Sequence, residues 1–105
     1  MPIEIKLLGL KGLKKELANK TDDIARLKLL TVKRQLVAKL VPATPIDTGE
    51  ARAGWHTTIT GIENNVEHID ALNAGHSRQA PKLFIERTVL SHRDVSPSGI
   101  IVRYK

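Results

Sequence analysis

The fold of this 105-residue chain is decided by residues 44–55, which read Thr44-Pro45-Ile46-Asp47-Thr48-Gly49-Glu50-Ala51-Arg52-Ala53-Gly54-Trp55. Pro42 and Pro45 cannot continue a preceding helix, because proline lacks an N–H group and disfavours the helical conformation of the residue before it. Asp47 and Thr48 have side chains that bond to nearby backbone in turns, and Gly49 can supply a positive φ. The stretch therefore predicts the end of a helix, a structural turn at Asp47, Thr48 and Gly49, and a strand that begins near Trp55.

The apolar pattern before this turn predicts a long helical region that ends near Val41, either one kinked helix or two, since Thr21-Asp22-Asp23 could cap a new helix. At 100° per residue, one apolar stripe contains Ala25, Leu29, Val32, Leu36 and Leu40. A second, broader stripe contains Leu27, Leu30, Val37 and Val41. A surface helix needs only one apolar face. The second face is expected to pack either on another subunit or within the chain's own core, and the sequence favours neither.

The remaining segments predict short elements around this helix. Alternation at Ile3, Ile5 and Leu7 indicates an opening strand, and two more strands are expected at 54–60 and 62–66. A helical turn at 69–74 should end at Gly75. A second helix should begin at Pro81, with Leu83, Phe84, Val89 and Leu90 on its buried side. A last strand should cover 100–104.

This element order predicts an α+β fold in a single domain that spans residues 1–105. A small antiparallel or mixed sheet of about four strands would pack on one long N-terminal helix and a second C-terminal helix.

The net charge of +6 lies entirely in the N-terminal part of the chain. Residues 1–42 contain ten Lys or Arg and four Asp or Glu, whereas residues 43–105 contain seven of each. Such asymmetry indicates nucleic acid, an acidic partner or simply a solvated helix surface. Cysteine is absent, which excludes disulfides and thiolate chemistry. No apolar run reaches the length of a membrane span, so we expect synthesis in the cytoplasm and no membrane partner.

The residues that invite an enzymatic interpretation lack the surrounding pattern. Asp47-Thr48-Gly49 is the triplet of aspartic proteases, but in those almost all-β enzymes it follows an apolar strand, and here it follows a Lys-rich helical segment. The histidines at 56, 68, 76 and 92 form none of the close pairs that ligate a metal from one helix face. His76 and Ser77 are adjacent in a loop, which does not orient a nucleophile and base. We therefore expect no enzyme activity, no catalytic or metal site and no cofactor.

Residues 45–55 resemble the P-hydrophobic-D-T-G-x-L-R-x-S-W element of tail-completion, or head–tail joining, proteins of long-tailed bacteriophages. The family's later asparagine, Tyr-Ala pair and glycine-bearing loop have counterparts in residues 64–69, 72–77 and 79–81, which read NNVEHI, LNAGHS and QAP. The opening residues 3–10 are similar to the family's first strand. The chain departs from the pattern at four positions, Ala51, Gly54, His68 and Asn73.

The resemblance implies a non-enzymatic virion protein, made in the host cytoplasm, that forms a hexameric ring where the tail meets the neck of the capsid. Its implied partners are further copies of itself, the neck or connector, and the tail tube or tail terminator, with genomic DNA possible in the channel. The residues expected at partner or subunit contacts are Arg52, Trp55, His76, Ser77, Arg78 and Gln79. The alternative from another class is a small basic nucleic-acid-binding protein.

Overall fold

A computed structural model describes residues 1–10, 23–45, 49–75 and 83–105 of the chain. The described elements, in chain order, are β1 (Ile3–Leu7), α1 (Asp23–Ala43), α2 (Glu50–Ala53), β2 (Trp55–Thr57), β3 (Gly61–Asn64), α3 (Ile69–Asn73), α4 (Phe84–Leu90) and β4 (Ile100–Tyr104). A 3-10 turn, Pro97–Gly99, precedes β4. The α+β class, with about four strands, one long helix and a shorter C-terminal helix, is confirmed.

The sheet is antiparallel and has the strand order β2-β3-β1-β4. β1 is central, and the register places Ile5 opposite Ile62 of β3 and Val102 of β4. Ile3, Ile5 and Leu7 of β1 are buried, whereas the two residues between them are only half-buried. One face of the sheet therefore carries the core and the other faces solvent, as the alternation predicts.

Helix α1 covers the apolar face of the sheet. Val32, Leu36 and Leu40, which belong to the first predicted stripe, are completely buried. The second stripe divides: Val37 and Val41 pack against the margin of the core, whereas Leu27 is 65% exposed. The chain's own core thus takes up the C-terminal half of the second face and leaves its N-terminal half in water.

Several predicted boundaries are corrected by the structure. The short helix α2 lies between the turn and the strand and was not predicted. The two following strands are shorter than 54–60 and 62–66, since they span only Trp55–Thr57 and Gly61–Asn64. Helix α4 begins at Phe84 rather than at Pro81, because Leu83 has a left-handed backbone with φ of 61° and cannot belong to the helix.

The buried side of α4 also differs from the prediction. Phe84 and Val89 are buried as expected, and Ile85 is completely buried beside them. Leu83 and Leu90, which were expected to be buried, are 41% and 38% exposed. Ile85 and Val89 are four residues apart and share one face of the helix, whereas Leu83 precedes the helix and does not belong to that face.

Asn73, at the end of α3, connects three separate elements. The side chain is completely buried, and its amide Nδ2 donates to Glu86 Oε1 at 2.6 Å and to the Tyr104 hydroxyl at 2.9 Å. Its Oδ1 accepts the backbone N–H of Ile85 at 3.0 Å, and its backbone carbonyl accepts that of Leu83 at 2.7 Å. An amide is required here because the site needs one donor group and one acceptor at the same time.

We predict that Asn73→Asp lowers the free energy of unfolding by about 2–3 kcal/mol at neutral pH, because a buried carboxylate would replace the donor that faces Glu86. Adding Glu86→Gln should recover much of that loss, since a glutamine amide can donate to the new carboxylate. Urea unfolding of the four proteins of this double-mutant cycle measures both effects. Equal stability of the single variant and the wild type, or no recovery in the double variant, would contradict this role for Asn73.

Candidate functional site at the helix-to-strand junction

The stretch that decides the fold forms, together with Asn64 of β3, a hydrogen-bonded junction between α1 and β2. The junction consists of Thr44, Gly49, Arg52, Trp55 and Asn64. Thr44 lies just beyond the last turn of α1 and is completely buried. Its hydroxyl donates to the Leu40 carbonyl at 2.6 Å and accepts the Trp55 indole Nε1–H at 2.8 Å. A single hydroxyl thus ties the end of the helix to the first residue of the strand.

Arg52 closes the C-terminal end of α1 from the side of α2. Its Nε donates to the Thr44 carbonyl at 2.7 Å, and its terminal nitrogen Nη2 donates to the Pro42 carbonyl at 3.2 Å. The last carbonyls of a helix have no partner within the helix and carry partial negative charge, so a guanidinium is well suited to bind them. The side chain is half-buried, and its role here is to join α1 to α2.

Asn64, at the end of β3, joins the junction through its hydrogen bond to the short helix α2. The side chain is completely buried; its Nδ2 donates to the Ala51 carbonyl at 2.8 Å, and its Oδ1 accepts the Val66 N–H at 3.0 Å. Gly54 packs directly on it, because a Cβ atom at residue 54 would lie 2.6 Å from Asn64 Oδ1. This contact gives a physical reason for glycine at a position where the resembling proteins commonly have serine.

Gly49 begins α2 with a left-handed backbone, φ 77° and ψ −10°. A Cβ atom at this residue would meet no atom within 4 Å, so the space is open and only the backbone conformation disfavours a side chain. Asp47 and Thr48, the other two residues of the predicted structural turn, lie outside the described residues. The described chain before the turn is the long helix α1, not the apolar strand that precedes the triplet in aspartic proteases.

We predict that Gly49→Ala lowers the free energy of unfolding by about 1–2 kcal/mol, because alanine strains the left-handed backbone of residue 49. Gly49→Asn is the matched control and should cost clearly less, since asparagine tolerates that conformation. Chemical denaturation of the three proteins measures the difference. If alanine proves as stable as glycine, the turn does not need a positive φ at this position.

The residues that the resemblance predicts at partner contacts differ in whether the structure leaves them accessible. Trp55 is only 6% exposed, so its ring belongs to the chain's own core and offers little surface to a partner. Arg52 is partly accessible but is already engaged at the end of α1. The other four, His76, Ser77, Arg78 and Gln79, lie outside the described residues.

A charged row crosses the solvent face of the sheet and is formed by His56, Glu63, Glu4, Arg103 and Lys105. The register sets Glu4 directly opposite Glu63, an arrangement that is repulsive unless a cation lies between them. Lys105 provides that cation: its Nζ bonds Glu63 and lies 2.9 Å from Glu4 Oε2. Hydrogen bonds from Lys105 lower the pKa of both carboxyl groups, and the same bonds raise the pKa of Lys105. The positive and negative charges of this row therefore largely cancel.

Lys33 is the one basic side chain of α1 that is buried among those the structure describes. Its Nζ donates to the Thr58 carbonyl at 2.6 Å and lies 3.4 Å from the Ile59 carbonyl. Burial lowers the pKa of this ammonium group. Lys33 therefore anchors the β2–β3 turn to the helix and is not available to a charged partner.

His92, after the end of α4, is buried, and both of its ring nitrogens have hydrogen-bond partners. Its Nδ1 accepts the Asp94 N–H at 3.1 Å, and its Nε2 lies 2.6 Å from Gln35 Oε1. A neutral imidazole has one donor and one acceptor, so the proton is on Nε2. Burial lowers the pKa of His92, and the nearby cations Lys39, Lys28 and Arg93 lower it further, while Asp94 opposes them.

We predict that the free energy of unfolding falls as the pH drops below about 6.5, the ordinary pKa of histidine, because only the unfolded chain then takes up the proton. The contribution of His92 to this loss should level off once the pH passes the lowered pKa of folded His92. His92→Gln should remove this slope, whereas His68→Gln, at an exposed residue, should keep it. Denaturant titrations between about pH 7 and pH 5 measure the effect. An unchanged slope in His92→Gln would contradict the assignment.

Among the described residues, no group of three or more His, Cys, Asp or Glu side chains is placed to hold a metal ion. Helices long and apolar enough to span a membrane are likewise not found in the described ranges.

The sequence analysis missed the polar residues that hold this structure together. Thr44, Asn64 and Asn73 were quoted as parts of patterns but given no role, Lys33 was not singled out, and His92 was considered only as one of four histidines that form no metal-ligating pair. One feature of the sequence could have indicated these residues. It is a single polar residue inside a buried apolar stripe or next to a buried residue, as Lys33 follows Val32.

No protein-family model, no curated protein and no solved structure matches this chain.

Proposed function

We propose that this chain is a non-enzymatic virion assembly protein of a long-tailed bacteriophage. It would act at the head–tail junction, as a ring that completes the tail and joins it to the connector. The observation that carries this proposal is the junction itself. Arg52 and Trp55 from the first resembling segment bind Thr44 at the end of α1, and Asn64 from the second binds the short helix α2 that lies between α1 and β2. The residues of the resemblance thus act together as a structural joint.

The surfaces of the subunit support ring formation. A ring is built from a heterologous interface, in which two different surfaces of each subunit meet. One candidate surface is the outer part of α1 around Leu27, which is 65% exposed. The other is the edge strand β4, where Ile101 and Tyr104 are 42% and 44% exposed and the described residues contain no further strand. An unpaired edge offers backbone groups to a neighbour.

The proposed partners follow from this position in the particle. The chain would be made in the host cytoplasm and incorporated into the virion, with neck or connector proteins on one side and the tail tube or tail terminator on the other. Segment 76–79 would take part in these contacts as the resemblance implies.

Quantitative mass spectrometry of purified particles, scaled to the major capsid protein, tests this role. We expect a low copy number near six per particle, because one hexameric ring contains six copies of the chain. As the matched control, an infection in which its coding sequence is deleted should produce separate heads and tails, which join when the protein is added back. Absence of the chain from intact, infectious particles would refute the proposal.

A further inference from the structure

A solvent-open groove lies between α1 and the turn that follows α4. Its volume is about 510 Å³, and its walls are formed by Gln35, Ala38 and Lys39 of α1 and by Ser91, His92 and Arg93 of the turn. The groove is well separated in sequence from the junction, and neither the resemblance nor the proposed function gives it a role.

The walls of this groove present hydrogen-bond donors. Asp94 N–H occupies His92 Nδ1, so the imidazole proton on Nε2 must point to Gln35 Oε1. This bond fixes the orientation of the Gln35 amide and leaves its NH2 group as the outward donor. The Lys39 ammonium and the Arg93 guanidinium add donors that never accept. The polar groups that these three side chains present are donors, which are complementary to an anion.

The charge around the groove is positive. Lys39 and Arg93 line the groove beside His92, and Asp94 is the acidic group next to Arg93. Asp94 is engaged by Lys28 at 2.8 Å, and Arg93 Nε lies 3.6 Å from it. The Arg93 side chain is nevertheless 87% exposed, so most of its guanidinium is accessible to a ligand. The charged row on the sheet, by contrast, balances its own charges.

The groove is open to solvent, and its polar groups come from two elements, Gln35 and Lys39 of α1 and Arg93 of the turn. An open groove admits a polymer that carries charge along its backbone, whereas a small ligand is usually held in an enclosed pocket. Phosphate oxygens also accept from several directions, so that lysine, arginine and amide donors from two elements can bind together.

We propose that this groove binds the phosphodiester backbone of nucleic acid through Lys39, Arg93 and the Gln35 amide. Binding should not depend on base sequence, since side chains that contact the phosphate backbone do not contact the base edges. The inference goes beyond the head–tail role and does not depend on it, because a chain absent from particles would still have this groove.

Fluorescence anisotropy with a mixed-sequence DNA duplex, measured from about 50 to 200 mM salt, tests the proposal. Lys39→Gln with Arg93→Gln should weaken binding about tenfold or more and reduce the salt slope by about 2, one for each lost phosphate contact. The matched control is Arg87→Gln with Arg103→Gln, which removes the same charge from exposed residues outside the groove and should change both quantities much less. Equal thermal unfolding midpoints establish that each variant is folded.

A second readout localises the ligand. Addition of the duplex should shift the NMR signals of the Gln35 side-chain amide and the His92 ring in the wild type but not in the groove variant. Equal losses in the groove and control variants, or unshifted Gln35 and His92 signals, would overturn the proposal in favour of a diffuse charge effect. Tighter, groove-dependent binding of a poly-glutamate peptide than of the duplex would overturn it in favour of an acidic protein partner.

Discussion

The hydroxyl of Thr44 is the constraint on which the rest of the structure depends. It closes the last turn of α1 on one side and holds the Trp55 indole on the other, in a place that water does not reach. Because Trp55 begins β2, this contact sets where the edge of the sheet meets the long helix. Arg52 reinforces it by binding the neighbouring carbonyls, and Asn64 fixes the short helix between them.

The interior relies on polar residues to position elements that apolar packing leaves free to slide. The apolar core contains only one tryptophan and one phenylalanine, and most of its members are aliphatic. Aliphatic cores tolerate exchange of similar side chains, so they determine that a sheet and a helix pack but not how they register. Thr44, Asn64 and Asn73 are completely buried, and each bonds groups from different elements. Their hydrogen bonds favour one register of the helix on the sheet over alternative registers.

The elements that follow from local chemistry could be predicted from the sequence, whereas those that follow from distant contacts could not. Alternation at Ile3, Ile5 and Leu7 and the stripe through Leu36 reflect periodicity, and both were predicted correctly. The start of α4 was not, because Leu83 is left-handed and its N–H bonds to the Asn73 carbonyl ten residues earlier, a contact that no local pattern indicates. The groove at His92 was also missed, since Gln35 and His92 are 57 residues apart and no pattern joins them.

The double attachment of Asn73 makes one amide responsible for the position of a whole helix. Its carbonyl and its side-chain oxygen receive the N–H groups of Leu83 and Ile85, so the first turn of α4 is held by the end of α3. The same side chain donates to Tyr104 in β4, so the helix and the edge of the sheet share one support. A substitution that removes the amide would therefore disturb α4 and β4 together, although neither element adjoins residue 73 in the chain.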